Sequence, residues 1–314
     1  MTQSQAPGLD PALFRPVRGF MDLPNSLSLE TARAAIVGIP FDMGVAPVRV
    51  GSRMGPDAIR EQGEQLEFFD PHDPDLDLRV ALGLVDCGNV VVWPADRERS
   101  FETIESAVGA IAGSGTVPVT FGGDGSVSLP QLRALAPHHD GLVLLHWDAH
   151  TDAYPAPAPG VHTTGTTFTY AAMEGLVDTE KSFHVGPRGP ISTRDVFAHT
   201  QSLGYRLIPD REMRSRGFDD VLAELKSVIG SRPVYLCWDM DFYDPACAPA
   251  VCNPVWGGSS AREGFEIIQG MSGLNVVGVD INTVSPPHDV NGMTAHLAGR
   301  TALECLFVMA RNGR

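Results

Sequence analysis

Two short segments of the sequence carry carboxylates and an imidazole at alternate positions. The segment HWDAHTD contains Asp148, His150 and Asp152, and the segment WDMDFYDP contains Asp239 and Asp241. Side chains two positions apart on an extended chain point to the same side. A single aspartate after a strand usually caps a helix. Four carboxylates close together would instead repel one another and destabilise the fold, unless a divalent cation binds between them. The pattern therefore predicts a metal centre suited to Mn²⁺, with Ni²⁺, Fe²⁺ or Zn²⁺ as alternatives.

Apolar runs precede both segments and alternate with segments of helical period along the chain. This alternation predicts an α/β domain with a parallel sheet, and ligands of such sheets bind beyond the carboxyl ends of the strands. The predicted strands are Ala34–Pro40, Thr116–Gly122, Gly141–Asp148, Ser182–Gly186, Tyr205–Ile208, Pro233–Asp239 and Leu274–Asp280. The predicted helices are Phe101–Ala112, Leu129–Leu135, Phe218–Ile229, Ala261–Met271 and Met293–Ala310.

Length and composition restrict the class of protein. The 314 residues, 43% hydrophobic and 19% charged, predict one globular domain over residues 1–314, with residues 1–30 as an N-terminal extension. A formal net charge of −15 argues against nucleic acid or an anionic membrane as a partner. The sequence has no secretory leader pattern and no long apolar run, and its five cysteines are scattered, so we expect a cytoplasmic protein with reduced thiols.

Beyond these patterns, the chain resembles the ureohydrolase family of arginases and agmatinases, above all its agmatinase branch. The resemblance runs from VGIPFDMGVAPVRVGSRMGPDAIR through FGGDGS, HWDAHTD, HVGPRG, DMDFYDPACAP and GGSSARE to GVDINTVSPPHDVNGMT. It implies a three-layer α/β/α fold around a parallel sheet of about eight strands, and assembly into trimers or hexamers. It also implies a binuclear Mn²⁺ site at which water attacks a guanidinium carbon and urea is released. By this resemblance Asp148 and Asp239 bridge both ions, His150 and Asp241 complete one position, and Asp152 joins the other.

Three positions depart from the family pattern. Gly125 follows Asp124 where relatives have a histidine ligand, so the resemblance implies a weakened second metal position. Thr164 stands where agmatinase-like relatives carry a proton-transfer histidine, and threonine cannot act as an acid near neutral pH. Thr283 stands where relatives carry a glutamate that pairs with the guanidinium. His162, two residues before Thr164, is a substitute candidate for the catalytic histidine, although a plain loop histidine is the commoner outcome.

The remaining candidate residues surround the expected substrate cavity. Asp124 either takes part in proton transfer or supports its neighbours through hydrogen bonds, and we keep it as a catalytic candidate. Asn253 lies in a loop that is bulkier than the glycine-rich loop of relatives, so it is a substrate-binding candidate together with Thr164 and Thr283. The altered loop indicates either a reshaped pocket or neutral drift.

Three functions remain open on the sequence alone. The first is a metal-dependent hydrolase of a guanidine-type compound other than arginine or agmatine. The second is a catalytically weak or inactive subunit of a hetero-oligomer with an intact paralogue, as in metformin hydrolase. The third is a regulatory or ligand-binding module with one structural metal.

Overall fold

A central sheet of nine strands organises the computed structural model, which describes residues 8–44, 49–70 and 73–313. Residues 1–7 of the predicted extension and residues 45–48 of the first family-like motif lie outside the described residues. The strands of this sheet are β1 (Phe14–Arg15), β2 (Ala34–Gly38), β5 (Val85–Val90), β6 (Val117–Phe121), β7 (Val143–Trp147), β8 (Phe183–Val185), β9 (Arg206–Ile208), β10 (Pro233–Asp239) and β11 (Asn275–Asn282). The strands β3 (Phe69–Asp70) and β4 (Asp73–Asp77) form a separate antiparallel pair.

The strand order is β1-β5-β2-β6-β11-β10-β7-β8-β9. Eight strands are parallel, as predicted, and the two-residue β1 adds an antiparallel edge beside β5. The last two strands along the chain, β10 and β11, lie in the middle of the sheet between β6 and β7. The sheet therefore joins segments that are far apart in the sequence.

Ten helices are present in the described part of the chain. They are α1 (Gly55–Gly63), α2 (Leu78–Leu82), α3 (Arg97–Gly113), α4 (Ser128–Leu135), α5 (Thr167–Met173), α6 (Val196–Ser202), α7 (Asp210–Arg216), α8 (Phe218–Ile229), α9 (Ala261–Gly270) and α10 (Met293–Asn312). None of these described helices combines the length and apolar character that a membrane span requires.

Two hydrophobic cores, one on each face of the sheet, make the three layers. Along β7, Val143 and Leu145 belong to the core that includes α1, α8, α9 and α10, whereas Leu144 belongs to the core that includes α3, α4 and α5. Alternate side chains of a strand point to opposite faces, so an apolar strand covered on both faces is expected at this position. The predicted α/β/α architecture is confirmed, and all seven predicted strands and five predicted helices are present with small shifts at their ends.

Local sequence signals set several helix ends. Asp96 accepts a hydrogen bond from the Arg99 N–H at the start of α3, and Ser260 and Glu263 form a reciprocal capping box at the start of α9. The helix α8 buries Val221, Leu222, Leu225 and Ile229 along one face, which is the stripe expected from its sequence period.

Candidate metal centre

The carboxyl ends of β7 and β10 bring the two aspartate segments together. The strands pair in parallel, with Trp147 opposite Trp238, so Asp148 and Asp239 follow at the same level of the sheet. Both side chains are buried, with 1% and 2% of the residue surface exposed. The strand ends therefore place the two segments side by side.

Two overlapping groups of ligand atoms contain all five predicted metal residues. Asp148, His150 and Asp241 form the first group, and Asp148, Asp152 and Asp239 form the second, with the ligand atoms of each group within 4.8 Å of one another. In the first group, His150 Nδ1 lies 3.3 Å from Asp148 Oδ1 and 3.5 Å from Asp241 Oδ2. The structure thus brings the five residues into two adjoining positions that share Asp148.

Burial and mutual repulsion shift the pKa values of these carboxyl groups. Burial, with the nearby Asp148, raises the pKa of Asp239 to about 6 and raises the pKa values of Asp152 and Asp241 well above their usual range. Burial also opposes ionisation of Asp148, but the adjacent His150 lowers the pKa of Asp148 below its usual value. Without a metal, Asp148 is the carboxyl group that ionises most readily, and its negative charge makes ionisation of the other three less favourable. A bound divalent cation would stabilise all four in the ionised form.

Unpartnered acceptor atoms support a cation at this place. Asp241 Oδ1 is buried without a hydrogen-bond partner among the described residues, and the buried Asp148 Oδ2 forms no hydrogen bond, although His146 Nε2 lies 3.3 Å from it. Buried acceptors without a donor are costly, whereas a bound cation satisfies them directly. A donor set of carboxylate oxygens with one imidazole therefore fits a divalent metal of the Mn²⁺ or Ni²⁺ type.

A cavity of about 540 Å³ opens from this cluster. Its described lining consists of Gly44, His150, Asp152, Tyr154, Thr163, Thr164, Gly165, Pro190, Ser192 and Asn253. Two of the three predicted substrate-binding residues, Thr164 and Asn253, are therefore in the wall. A cavity of this size suits a small molecule placed against the carboxylates.

The third predicted substrate-binding residue has a different position. Thr283 is 2% exposed and does not belong to the cavity lining. Its hydroxyl accepts from the Met240 N–H at 3.0 Å and donates to the Asn282 carbonyl at 2.7 Å. These bonds tie the end of β11 to the turn after β10, so Thr283 supports the segment that carries Asp241.

The two predicted catalytic residues also lie outside the described cavity lining. Asp124 is fully buried and accepts from the Gly44 N–H at 2.7 Å and from the N–H and hydroxyl of Ser126. The ring of His162 packs on Tyr170 at 4.0 Å between ring centres and on Phe101 at 6.3 Å. The structure does not bring His162 to the carboxylate cluster, because its ring is held among aromatic side chains.

Two residues near the cluster were missed in the sequence. His146 Nε2 lies 3.3 Å from Asp148 Oδ2 and 3.4 Å from Asp239 Oδ1, and His146 Nδ1 lies 2.9 Å from Nδ1 of the buried His184. His146 lies two residues before Asp148 on β7, so the same alternation that predicted Asp148 and His150 also includes His146. The sequence pattern could therefore have identified this residue.

The second missed residue is Arg188, in the segment HVGPRG. Arg188 Nη2 donates to the carbonyls of Asp241 at 2.7 Å, Val255 at 2.9 Å and Tyr243 at 3.3 Å. It therefore holds the turn that carries Asp241 against the loop that follows Asn253. A guanidinium with several fixed donors is well suited to such cross-linking of carbonyl groups.

Comparison with known proteins places the fold and the aspartate segments in context. The sequence profile of the arginase family matches residues 32–308. An agmatinase of Salmonella paratyphi B is 36% identical over 295 residues, which cover 93% of each chain. The solved structure of proclavaminate amidino hydrolase from Streptomyces clavuligerus superposes with a TM-score of 0.89 at 30% identity, over 96% of this chain and 100% of the other. The agmatine ureohydrolase of Thermoplasma volcanium gives a TM-score of 0.78 at 28% identity, over 95% and 96%.

Proposed function

The chain belongs to the arginase family, and we propose that it is a metal-dependent hydrolase that cleaves a C–N bond of a guanidine-type compound. The observation that carries the proposal is the cluster of four buried carboxylates and one partly buried imidazole, of which His150 and Asp152 line a substrate-sized cavity. The agmatinase relatives, at 36% identity over 93% of the chain, support the same reaction class.

We propose Asp148, His150, Asp152, Asp239 and Asp241 as the metal ligands, with Mn²⁺ as the cofactor and Ni²⁺ as the alternative. When bound, two such ions acidify a water molecule and stabilise the charge that develops during its addition to the guanidinium carbon.

The reaction adds the oxygen of water to the guanidinium carbon and breaks the bond from this carbon to the substituted nitrogen. The leaving nitrogen takes a proton and departs as an amine, and urea is the other product. Among the described lining residues, Asp152 is the carboxylate that can hold the transferred proton, because Thr164 has no group that ionises near neutral pH. Thr163, Ser192 and Asn253 can orient the substrate through hydrogen bonds.

The far part of the cavity favours a substrate with an uncharged tail. Apart from His150 and Asp152 at the cluster, the described lining has no carboxylate to pair with an amine and no arginine or lysine to pair with a carboxylate. A buried charge without a partner is costly, so agmatine and arginine should bind poorly compared with guanidines that end in neutral polar groups.

A metal-supplemented screen tests the proposed reaction. Purified protein loaded with Mn²⁺ or Ni²⁺ should release urea or an equivalent C–N hydrolysis product from one or more guanidino, biguanide or guanylurea compounds. Asp148→Asn should abolish turnover, whereas Asp75→Asn, at an exposed position of β4, should leave it unchanged. A complete panel without metal-dependent turnover would refute the proposal for the chain acting alone.

The substitutions at three family positions favour a second candidate function. By the resemblance to the family, relatives carry a metal ligand, a proton-transfer histidine and a guanidinium-binding glutamate where this chain has Gly125, Thr164 and Thr283. A weak or inactive subunit that assembles with an intact paralogue would show this set of losses. Co-expression with such a paralogue should then give a mixed oligomer whose turnover exceeds that of either chain. A stable homo-oligomer, trimer or hexamer, with full turnover would exclude this function.

The remaining proposals concern domain organisation and location. We propose one domain over residues 1–314, with residues 1–30 as its extension. A single sheet that draws strands from Phe14 to Asn282 supports this assignment. The cytoplasmic location stays a prediction from the sequence.

A further inference from the structure

Strand pairing brings an imidazole and a thiol next to the two carboxylates at the strand ends. His146 of β7 lies directly opposite Cys237 of β10 in the parallel register. Asp148 and Asp239 follow two residues later along each chain segment, so all four side chains point to the same side. His146 and Cys237 are 0% and 1% exposed, and neither belongs to the described cavity lining. They form a second pair of potential ligands that the proposed hydrolytic centre does not use.

The distances within this group match those between the ligands of a tetrahedral cation. One ligand atom each from His146, Cys237 and Asp239 lies within 4.8 Å of the other two. His146 Nε2 lies 3.4 Å from Asp239 Oδ1 and 3.3 Å from Asp148 Oδ2, and Cys237 Sγ lies 3.4 Å from Asp239 Oδ1. With bonds of about 2.0 to 2.3 Å, the ligand atoms of a tetrahedral Zn²⁺ lie about 3.3 to 3.8 Å apart.

The imidazole is held but forms no hydrogen bond through Nε2. A charge-assisted hydrogen bond from a ring nitrogen to a carboxylate is about 2.7 to 2.9 Å long, which is shorter than both of its carboxylate contacts. The other ring nitrogen, Nδ1, lies 2.9 Å from Nδ1 of the buried His184. With His146 as the donor of that bond, Nε2 presents a lone pair to the group. Histidines that bind metals are commonly held in this way through their second nitrogen.

The two oxygens of Asp239 face different places. A Cβ atom added to Gly125 would lie 3.4 Å from Asp239 Oδ2 and 3.0 Å from Asp152 Oδ2, so Oδ2 faces the carboxylate of Asp152. His146 Nε2 and Cys237 Sγ instead contact Oδ1. A cation between the imidazole, the thiol and Oδ1 therefore occupies a place apart from the position beside Asp152.

Hydrogen-bond donors also surround the sulfur of Cys237. Asn282 Nδ2 donates to Cys237 Sγ at 3.5 Å, and the Ser128 hydroxyl lies 3.5 Å from the same atom. Hydrogen bonds to sulfur stabilise metal-bound thiolates and adjust their charge. The surroundings of Cys237 therefore suit a thiolate ligand as well as a thiol.

We propose that His146 Nε2, Cys237 Sγ and Asp239 Oδ1 form a third metal position, adjoined by Asp148 Oδ2. Imidazole and thiolate ligands select Zn²⁺ and similar ions, whereas Mn²⁺ prefers oxygen ligands. Binding displaces the proton of the thiol, which passes to the solvent. With Mn²⁺ alone the position should stay empty, and His146 then only contacts the carboxylates. The inference goes beyond the proposed hydrolase, and its test measures metal binding without a substrate.

Cobalt spectroscopy tests the thiolate ligand directly. A Co²⁺ ion bound to a thiolate has an intense charge-transfer band in the near ultraviolet, which oxygen and nitrogen ligands do not give. Protein freed of metal and then loaded with Co²⁺ should show this band, and Cys237→Ser should lose it. Cys252→Ser should keep it and is the matched control, because the buried thiol of Cys252 donates to the Thr283 carbonyl at 3.5 Å.

The outcomes separate this inference from the proposed hydrolase. Bound Co²⁺ without the thiolate band, or a band that persists in Cys237→Ser, would overturn the third position and leave the hydrolytic centre intact. No bound Co²⁺ at all would overturn both.

Zinc gives a second readout that does not depend on a variant. X-ray absorption of the Zn²⁺-loaded, dialysed protein should show a sulfur neighbour at about 2.3 Å from zinc. By plasma mass spectrometry, Cys237→Ser should retain about one Zn²⁺ fewer per chain than the unaltered protein and Cys252→Ser. Zinc with only oxygen and nitrogen neighbours, or equal zinc contents in all three proteins, would overturn the inference.

Discussion

At the scale of single residues, His146 lies between the carboxylates of Asp148 and Asp239. Its Nε2 lies within 3.4 Å of both Asp148 and Asp239, and its other ring nitrogen contacts His184. A neighbour of this kind can fix the orientation of carboxylates that hold a metal. We infer that His146 positions the carboxylates of Asp148 and Asp239.

Replacement of this histidine should weaken metal binding. His146→Phe keeps an aromatic ring of similar size but removes the polar contact to both carboxylates. We expect its affinity for Mn²⁺ to fall roughly 10- to 100-fold, measured by calorimetric titration of the metal-free protein. His138→Gln, at an exposed position, serves as the control. Equal affinity in His146→Phe and in the control would show that His146 does not orient the ligands.

The raised pKa values predict how stability depends on pH. Burial raises the pKa values of Asp239 and Asp124 to about 6 from an ordinary 3.8. Between their ordinary pKa and their raised pKa, carboxyl groups of this kind bind more protons in the folded state than in the unfolded state. They therefore contribute their full stabilisation of the fold below their ordinary pKa. This stabilisation is lost as the pH rises through the folded-state value. Metal-free protein should therefore lose stability between about pH 4 and pH 7.

Metal should reverse this loss, because it binds the deprotonated carboxylates. The rise in Tm caused by Mn²⁺ should be larger near pH 8 than near pH 5. Thermal denaturation with Mn²⁺ and with a chelator at both pH values measures the difference. A larger rise at the lower pH would contradict the assignment of these carboxylates to the metal site.

The sequence was sufficient to predict that the residues of the two aspartate segments come together in one cluster. Alternation after two apolar strands identified Asp148, His150 and Asp241, since strand pairing brings such ends together. Alternation cannot predict the direction of a loop side chain. His162 and Thr283 were therefore assigned to the site on their positions in the chain, but tertiary contacts hold them elsewhere.

At the scale of elements, β5 shows why part of the fold could not be predicted. Its sequence VDCGNV has no apolar alternation, yet it pairs with β1 and β2 in the sheet. Its polar side chains Asp86 and Asn89 are buried because Arg60 of α1 reaches them, with Nε 2.8 Å from Asp86 Oδ2 and Nη1 2.6 Å from Asn89 Oδ1. A partner 26 residues away cannot be recognised from a local pattern.

Loss of this partner should destabilise the connection between α1 and β5. Arg60→Met leaves the carboxylate of Asp86 buried without its cation, so we expect a loss of about 3 to 5 kcal/mol in the free energy of unfolding, measured with urea. Glu61→Gln, at an exposed position of the same helix, should change it by less than about 0.5 kcal/mol. A similar urea midpoint in both variants would mean that water or another group compensates the buried charge.

At the scale of the whole molecule, the carboxylate cluster lies where distant parts of the chain meet. Asp148 follows β7, whereas Asp239 ends β10, and these strands are neighbours although β8 and β9 separate them along the chain. The proposed metal site therefore depends on the completed centre of the sheet rather than on any one segment.

The central place of β10 and β11 has a consequence for synthesis on the ribosome. Until these strands emerge, β6 and β7 each expose an unpaired edge rich in apolar residues, and such edges promote aggregation. A fragment that ends at Gly230, before β10, should therefore bind a hydrophobic dye, sediment as aggregates and take up no Mn²⁺. A soluble, monomeric fragment would contradict this prediction. The nascent chain should accordingly need protection by chaperones until its last quarter has been translated, and only then can it acquire metal.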